Sequence, residues 1–112
     1  MSNTKDLEIR ACKEFVCPNL GMIEQKGEEL YLSDETMKRA KDLTIEYFKK
    51  TYHAPHYSHV KYLISSFVYI ASILNRDRRF QDKIAEAFGV SNVTIRKWNK
   101  DIVDTLELEI IL

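Results

Sequence analysis

Apolar positions along this chain recur every three to four residues and do not alternate, which predicts helices throughout and no strand. From about Lys5 to Val16 they fall at Leu7, Ala11, Cys12 and Phe15, and Pro18 is expected to end that helix. Asn19 to Leu32 holds both Gly21 and Gly27 and reads as a loop. Ser33 offers a capping hydroxyl, and Asp34 and Glu35 then lie beside the positive end of a helix dipole. That helix is expected to run to about Lys50 and to bury Met37, Ala40, Leu43, Thr44, Tyr47 and Phe48.

His53 to His59 forms a connector around Pro55. The next stretch, Val60 to Leu74, is apolar on almost every side, through Leu63, Ile64, Phe67, Val68, Ile70, Ala71, Ile73 and Leu74. A helix with no polar face belongs at the centre of a bundle. Ser65, Ser66 and Ser72 are small enough to let neighbours approach it. After a charged turn, Arg76-Asp77-Arg78-Arg79, two short helices are expected at about Gln81–Phe88 and Asn92–Glu107. The reading is therefore all-α, with five helices and the third of them buried.

A chain of 112 residues is one domain's worth, so residues 1–112 are taken as a single domain. No apolar run reaches the roughly 18–20 residues of a membrane span. The start of the chain lacks the basic-then-apolar order of a signal peptide, so the protein is expected to stay where it is made. The 2 Cys, Cys12 and Cys17, are too few for a zinc site and are read as small buried residues, with no disulfide expected. Formal net charge is zero, but the window from Arg76 to Lys100 holds seven basic and three acidic residues and carries +4. A dipolar chain of this kind can present one basic end to a polyanion.

That window contains QDKIAEAFGVSNVTIRKWNK, residues 81–100, laid out as a helix-turn-helix. Ala85 is small where the second helix crosses the first, and Gly89 sits where the turn needs a positive φ. Val90 plugs the turn and Ser91 caps the second helix. Ile84, Phe88, Ile95, Trp98, Ile102 and Leu106 point inward. The outer face is then Asn92, Val93, Arg96, Lys97 and Lys100, residue types suited to base edges, thymine methyls and phosphates.

At these residues the chain resembles a family. FVYIASIL followed by RRFQDKIAEAFGVSNVTIRKWNKDIVDTL is similar to the second cyclin-like repeat of archaeal and eukaryotic transcription initiation factor IIB, and LSDETMKRAKDLTIEYFKK resembles that repeat's second helix. The resemblance covers Leu32–Leu106 well and Leu7–Gly21 loosely. It implies a five-helix cyclin-like fold whose helix-turn-helix reads promoter DNA upstream of the TATA box. Val93 and Arg96 would fall on major-groove contacts, with Lys97, Asn92, Lys100 and Ser91 along the same helix and Gln81 and Arg79 near phosphates. Double-stranded promoter DNA and TATA-binding protein are the implied partners, and RNA polymerase is a further candidate. The implied setting is the nucleoid-bearing cytoplasm of an archaeon, or the nucleus of a eukaryote. Phe80 departs from the family by standing where a capping Thr is usual, and Val60 where Pro is frequent. Ile23–Glu29 reads as an inserted loop, and neither a zinc ribbon nor a first repeat lies within these residues.

Other constellations are weaker. His53, His56 and His59 recur every three residues but lack a fourth ligand, so they read as turn and surface histidines, and neither metal nor cofactor is expected. Asp34, Glu35 and Asp42 fit a helix start and a solvated face. Tyr47, Tyr52, Tyr57, Tyr62 and Tyr69 are read as core edges with hydroxyls in water. No nucleophile-base pair or phosphate-cradling loop is visible, so no catalytic residues are assigned and an enzyme is not expected. Two other functions stay open: a free-standing helix-turn-helix regulator, and a cyclin-fold interaction module using the apolar tail Leu108 to Leu112.

Overall fold

A computed structural model describes residues 17–51 and 60–110 of the chain. They form five helices: α1 (Cys17–Glu29), α2 (Asp34–Thr51), α3 (Val60–Leu74), α4 (Gln81–Phe88) and α5 (Asn92–Leu106). No strand occurs among the described residues. The all-α class and the buried third helix are as expected, but the first described helix is not where the sequence placed it. The helix expected at Lys5–Val16 lies outside the described residues, as do His53, His56 and His59, Tyr52 and Tyr57, and the end of the apolar tail.

The segment read as a loop, including the supposed insertion at Ile23–Glu29, is the helix α1. Pro18 falls in its first turn, where a missing N–H breaks no helical bond. Gly27 misled the reading for a packing reason: a Cβ there would collide with the Met37 side chain of α2. The glycine lets two helices approach closely. Ile23, fully buried, anchors α1 in the core. Thr36 is also fully buried, while Met37, expected inside, is only half-buried over Gly27.

Eleven of the fifteen residues of α3 are buried, and the helix packs against all four others. Phe67, Ile70 and Ala71 have no exposed surface. The Tyr47 ring meets Phe67 edge-on, centroids 5.5 Å apart, an arrangement that adds to simple burial. The serines of α3 satisfy their hydroxyls on carbonyls, Ser65 on Tyr62 and Ser72 on Tyr69. Ser66 reaches across to the Ile95 carbonyl of α5 at 3.3 Å.

Four helices end in the same way. Past α1, α3, α4 and α5, the residues Tyr31, Arg76, Gly89 and Glu107 take left-handed backbone angles, with φ of 57°, 54°, 66° and 54°. In each case the next amide reaches back five residues: Leu32 to Gly27, Asp77 to Ser72, Val90 to Ala85 and Leu108 to Val103. These are Schellman closures, which satisfy carbonyls that a helix end otherwise leaves unpaired. Only one of the four uses glycine at the left-handed position, so the usual glycine signal marks the end of α4 and not the other three.

Two stability outcomes follow. Phe67→Ala should cost on the order of 3–5 kcal/mol by leaving a cavity at the helix on which all others pack, read as a large loss in thermal or urea unfolding. Arg76→Gly should raise stability by about 1 kcal/mol, because it relieves a left-handed non-glycine residue. An Arg76→Gly variant that melts below the parent would show that the arginine side chain outweighs this backbone strain.

Candidate nucleic-acid interface

The helix-turn-helix forms as the spacing predicted. Gly89 supplies the left-handed turn, and Ser91 Oγ accepts the Thr94 amide at 3.3 Å as N-cap of α5. Ile84, Ala85 and Phe88 of α4 and Ile95, Ile102 and Leu106 of α5 are buried. Val90 and Trp98 are half-buried against that core.

The eight residues singled out as DNA contacts separate into two groups. Val93 is 76% exposed, and Arg96, Lys97 and Lys100 are exposed beside it on α5. None of these three cations makes a hydrogen bond or ion pair among the described residues. Ser91 belongs to this exposed edge, although its hydroxyl is engaged with Thr94. The other three are half-buried and engaged in hydrogen bonds within the chain. Asn92 donates to Asp82 Oδ1 at 2.7 Å and accepts from Gln81 at 3.2 Å. Gln81 also donates to the Asn92 carbonyl and accepts from Asn99. Asn99 is 1% exposed, so this polar chain runs from the surface into the packed interface between α4 and α5. Its effect is to fix the start of one helix on the start of the other.

Arg79 is the third. Its Nε donates to the Leu30 carbonyl at 3.0 Å, Nη2 to the Tyr31 carbonyl at 2.8 Å, and Nη1 to Asp77 Oδ1 at 2.8 Å. Asp77 Oδ2 in turn accepts the Ser33 amide at 2.9 Å and the Thr36 hydroxyl at 3.0 Å. One carboxylate and one guanidinium thus join the ends of α1 and α3 to the starts of α2 and α4. The Ser33 amide above all, with Thr36 and Arg79, holds the Asp77 carboxyl below its ordinary range against the opposing effect of burial. Sequence reasoning saw only a charged turn here. The available signal was a lone acid flanked by arginines immediately after a buried helix.

The far end of α5 is held separately. Tyr47 donates to Asp101 at 2.6 Å, and Lys50 to the Thr105 carbonyl at 3.3 Å. Burial pushes the Tyr47 phenol well above its usual range, helped by the hydrogen bond and charge of Asp101. Tyr69 likewise accepts from Arg78 at 3.2 Å. These two hydroxyls meet protein partners, where water had been expected. Phe80, at the N-cap of α4, makes no side-chain cap and is 80% exposed.

Five helices and no strand among the described residues, closed by a helix-turn-helix, fit an all-α, cyclin-like fold. Comparison with known proteins agrees. The chain is 28% identical to transcription initiation factor IIB of Pyrococcus furiosus over 106 residues, 95% of this chain and 34% of that protein. A shorter stretch of 45 residues, 40% of this chain, is 51% identical to the factor IIB of Methanothrix thermoacetophila and covers 13% of it. The Methanosarcina mazei factor IIB gives 49% over the same length. No family model matches. The chain is thus similar to archaeal transcription initiation factor IIB and spans about a third of the length of the relatives matched along nearly all of it. Among the described residues no helix is long and apolar enough to cross a membrane, and no cluster of His, Cys, Asp and Glu could hold a metal ion.

The Asp77 junction gives a pH-dependent outcome. A carboxyl with a lowered pKa contributes stability that is present above the usual aspartate value, about 3.9, and is lost as pH falls through the lowered one. Asp77→Ala should cost about 1–3 kcal/mol near neutral pH by stranding Ser33, Thr36 and Arg79. It should also flatten the loss of stability on acidification below about pH 4. Parallel acid profiles for variant and parent, measured by urea unfolding across pH, would remove the junction from that role.

Proposed function

We propose that this chain docks α5 in the major groove of double-stranded promoter DNA, in the manner of transcription initiation factor IIB acting beside TATA-binding protein. The observation that carries the reading is the outer face of α5: Val93, Arg96, Lys97 and Lys100 all exposed, the three charges unanswered among the described residues, on a helix fixed at both ends. Unpaired cations on a rigid helix meet phosphates without first breaking internal bonds. Val93 and Arg96 lie three apart and project side by side from the first turns of α5. A small apolar group there senses a thymine methyl, while a guanidinium grips a guanine edge. Lys97 and Lys100 serve as phosphate contacts. Asn92, Gln81 and Arg79 act behind the surface, as the groups that set the angle of α5.

Competition binding on duplexes with purine-rich or scrambled sequence upstream of a TATA box tests this, with TATA-binding protein present and absent. Arg96→Ala should cost roughly 1–3 kcal/mol on the preferred duplex and less on the scrambled one. Lys97→Ala should weaken both alike and flatten the salt dependence by close to one counterion, about 0.9 in the log–log slope. Equal losses on both duplexes from Arg96→Ala would make it a backbone contact only. A protein that shifts no duplex at low salt, even with TATA-binding protein, would end the DNA reading.

A further inference from the structure

Two aromatic residues occupy positions that the backbone would give to other residue types. Tyr31 holds the left-handed position after α1, where glycine or asparagine is favoured, and its ring is 87% exposed. Phe80 holds the N-cap of α4, where Ser, Thr, Asp or Asn would accept a first-turn amide, and it is 80% exposed. Neither ring adds to the core, and neither closes its helix end. Arg79 fastens the two segments together, since it immediately precedes Phe80 and donates to the Tyr31 carbonyl. The result is a pair of exposed aromatic residues on two joined segments, neither of them on α5.

Its rim is electrostatically split. Residues 28–35, EELYLSDE, hold four acids and no base; Lys26 answers Glu29 and Lys41 answers Glu24, and Lys38 lines one depression with Glu28 and Asp34, which leaves the Tyr31 segment with an excess of acid. Residues 76–83, RDRRFQDK, hold four bases and two acids, and Asp77 is answered by Arg79. Arg76, Arg78 and Lys83 are all exposed near Phe80. The excess of acids at one end disfavours a polyanion across the whole patch. The surface that complements an acidic Tyr31 end and a basic Phe80 end is the same surface turned through a two-fold axis.

We infer that this face is where a second copy of the chain docks, Tyr31 of each copy against Phe80 of the other. An isologous contact of this kind sets each acidic rim on a basic one. It buries paired aromatics at its centre, the residue type that dominates interface energetics. The zero net charge of the chain adds no overall repulsion between copies. The inference concerns protein association alone and does not depend on DNA binding, although a dimer would present two reading helices.

Sedimentation equilibrium of the full chain without DNA, carried into the hundreds of micromolar, tests it. The parent should associate reversibly to a dimer. Phe80→Ser should weaken the dimer by about tenfold or more, while melting no lower than the parent, since it restores a cap. Arg76→Glu and Glu28→Arg should each be monomeric alone, and their equimolar mixture should dimerise, because only the mixed pair has complementary rims. A parent that stays monomeric at these concentrations would overturn the proposal. If Phe80→Ser then weakens duplex binding, the occupant is DNA; if it does not, the rings have no role in either contact. A dimer that survives Phe80→Ser, or single charge reversals that dimerise as well as their mixture, would place the interface elsewhere and equally overturn it.

Discussion

The Asp77 carboxylate is the point on which the arrangement of helices turns. One of its oxygens takes the Ser33 amide and the Thr36 hydroxyl, and the other takes Arg79, whose remaining donors reach Leu30 and Tyr31. The backbone around it is set by the left-handed Arg76 just before, which closes α3 and turns the chain toward α4. Hydrophobic burial holds α3 in the middle of the molecule but does not specify how the ends of four helices meet. A charge-assisted network with fixed geometry does. Because α4 begins directly after Arg79, the pose of the helix-turn-helix inherits that junction.

Much of this fold was legible in the residues. Val60 to Leu74 has no polar face, so only a central position keeps it from water on every side, and the structure places it there. Ser33, Ser91 and Gly89 announced helix boundaries through groups with a defined local task, and each performs it. What the sequence concealed has a common cause. Gly27 serves a contact with Met37, Tyr31 and Arg76 adopt a conformation usually left to glycine, and Pro18 is harmless in a first turn. In each case a tertiary or backbone requirement reversed the usual meaning of a residue type, which is why α1 was read as a loop.

The candidate interface shows the same division. That Val93, Arg96, Lys97 and Lys100 share an outward face follows from helical periodicity, and their exposure agrees. Asn92, Gln81 and Arg79 are polar residues at the same margin, and periodicity alone cannot tell a side chain offered to a ligand from one spent within the chain. Asp82, Asn99 and Asp77 make the difference, and none of them had a sequence signal of comparable strength.

A reading helix gains from being held before it binds. The first turn of α5 is tied to α4 through Asn92 and to α3 through the Ile95 carbonyl, which accepts from Ser66; its middle is tied to Gln81 of α4 through Asn99, and its later turns to α2 through Asp101 and Thr105. Together these ties restrain its first, middle and later turns, so the spacing and direction of the exposed cations are set by the rest of the fold. Ordering costs that would otherwise weaken an encounter with a polyanion have already been met on folding. For the proposed DNA contact, the same rigidity limits adaptation: a helix pinned at three levels cannot roll to suit a different groove. Selectivity would then come from the few side chains at its tip, with the position of the whole domain along a duplex set by whatever else grips it.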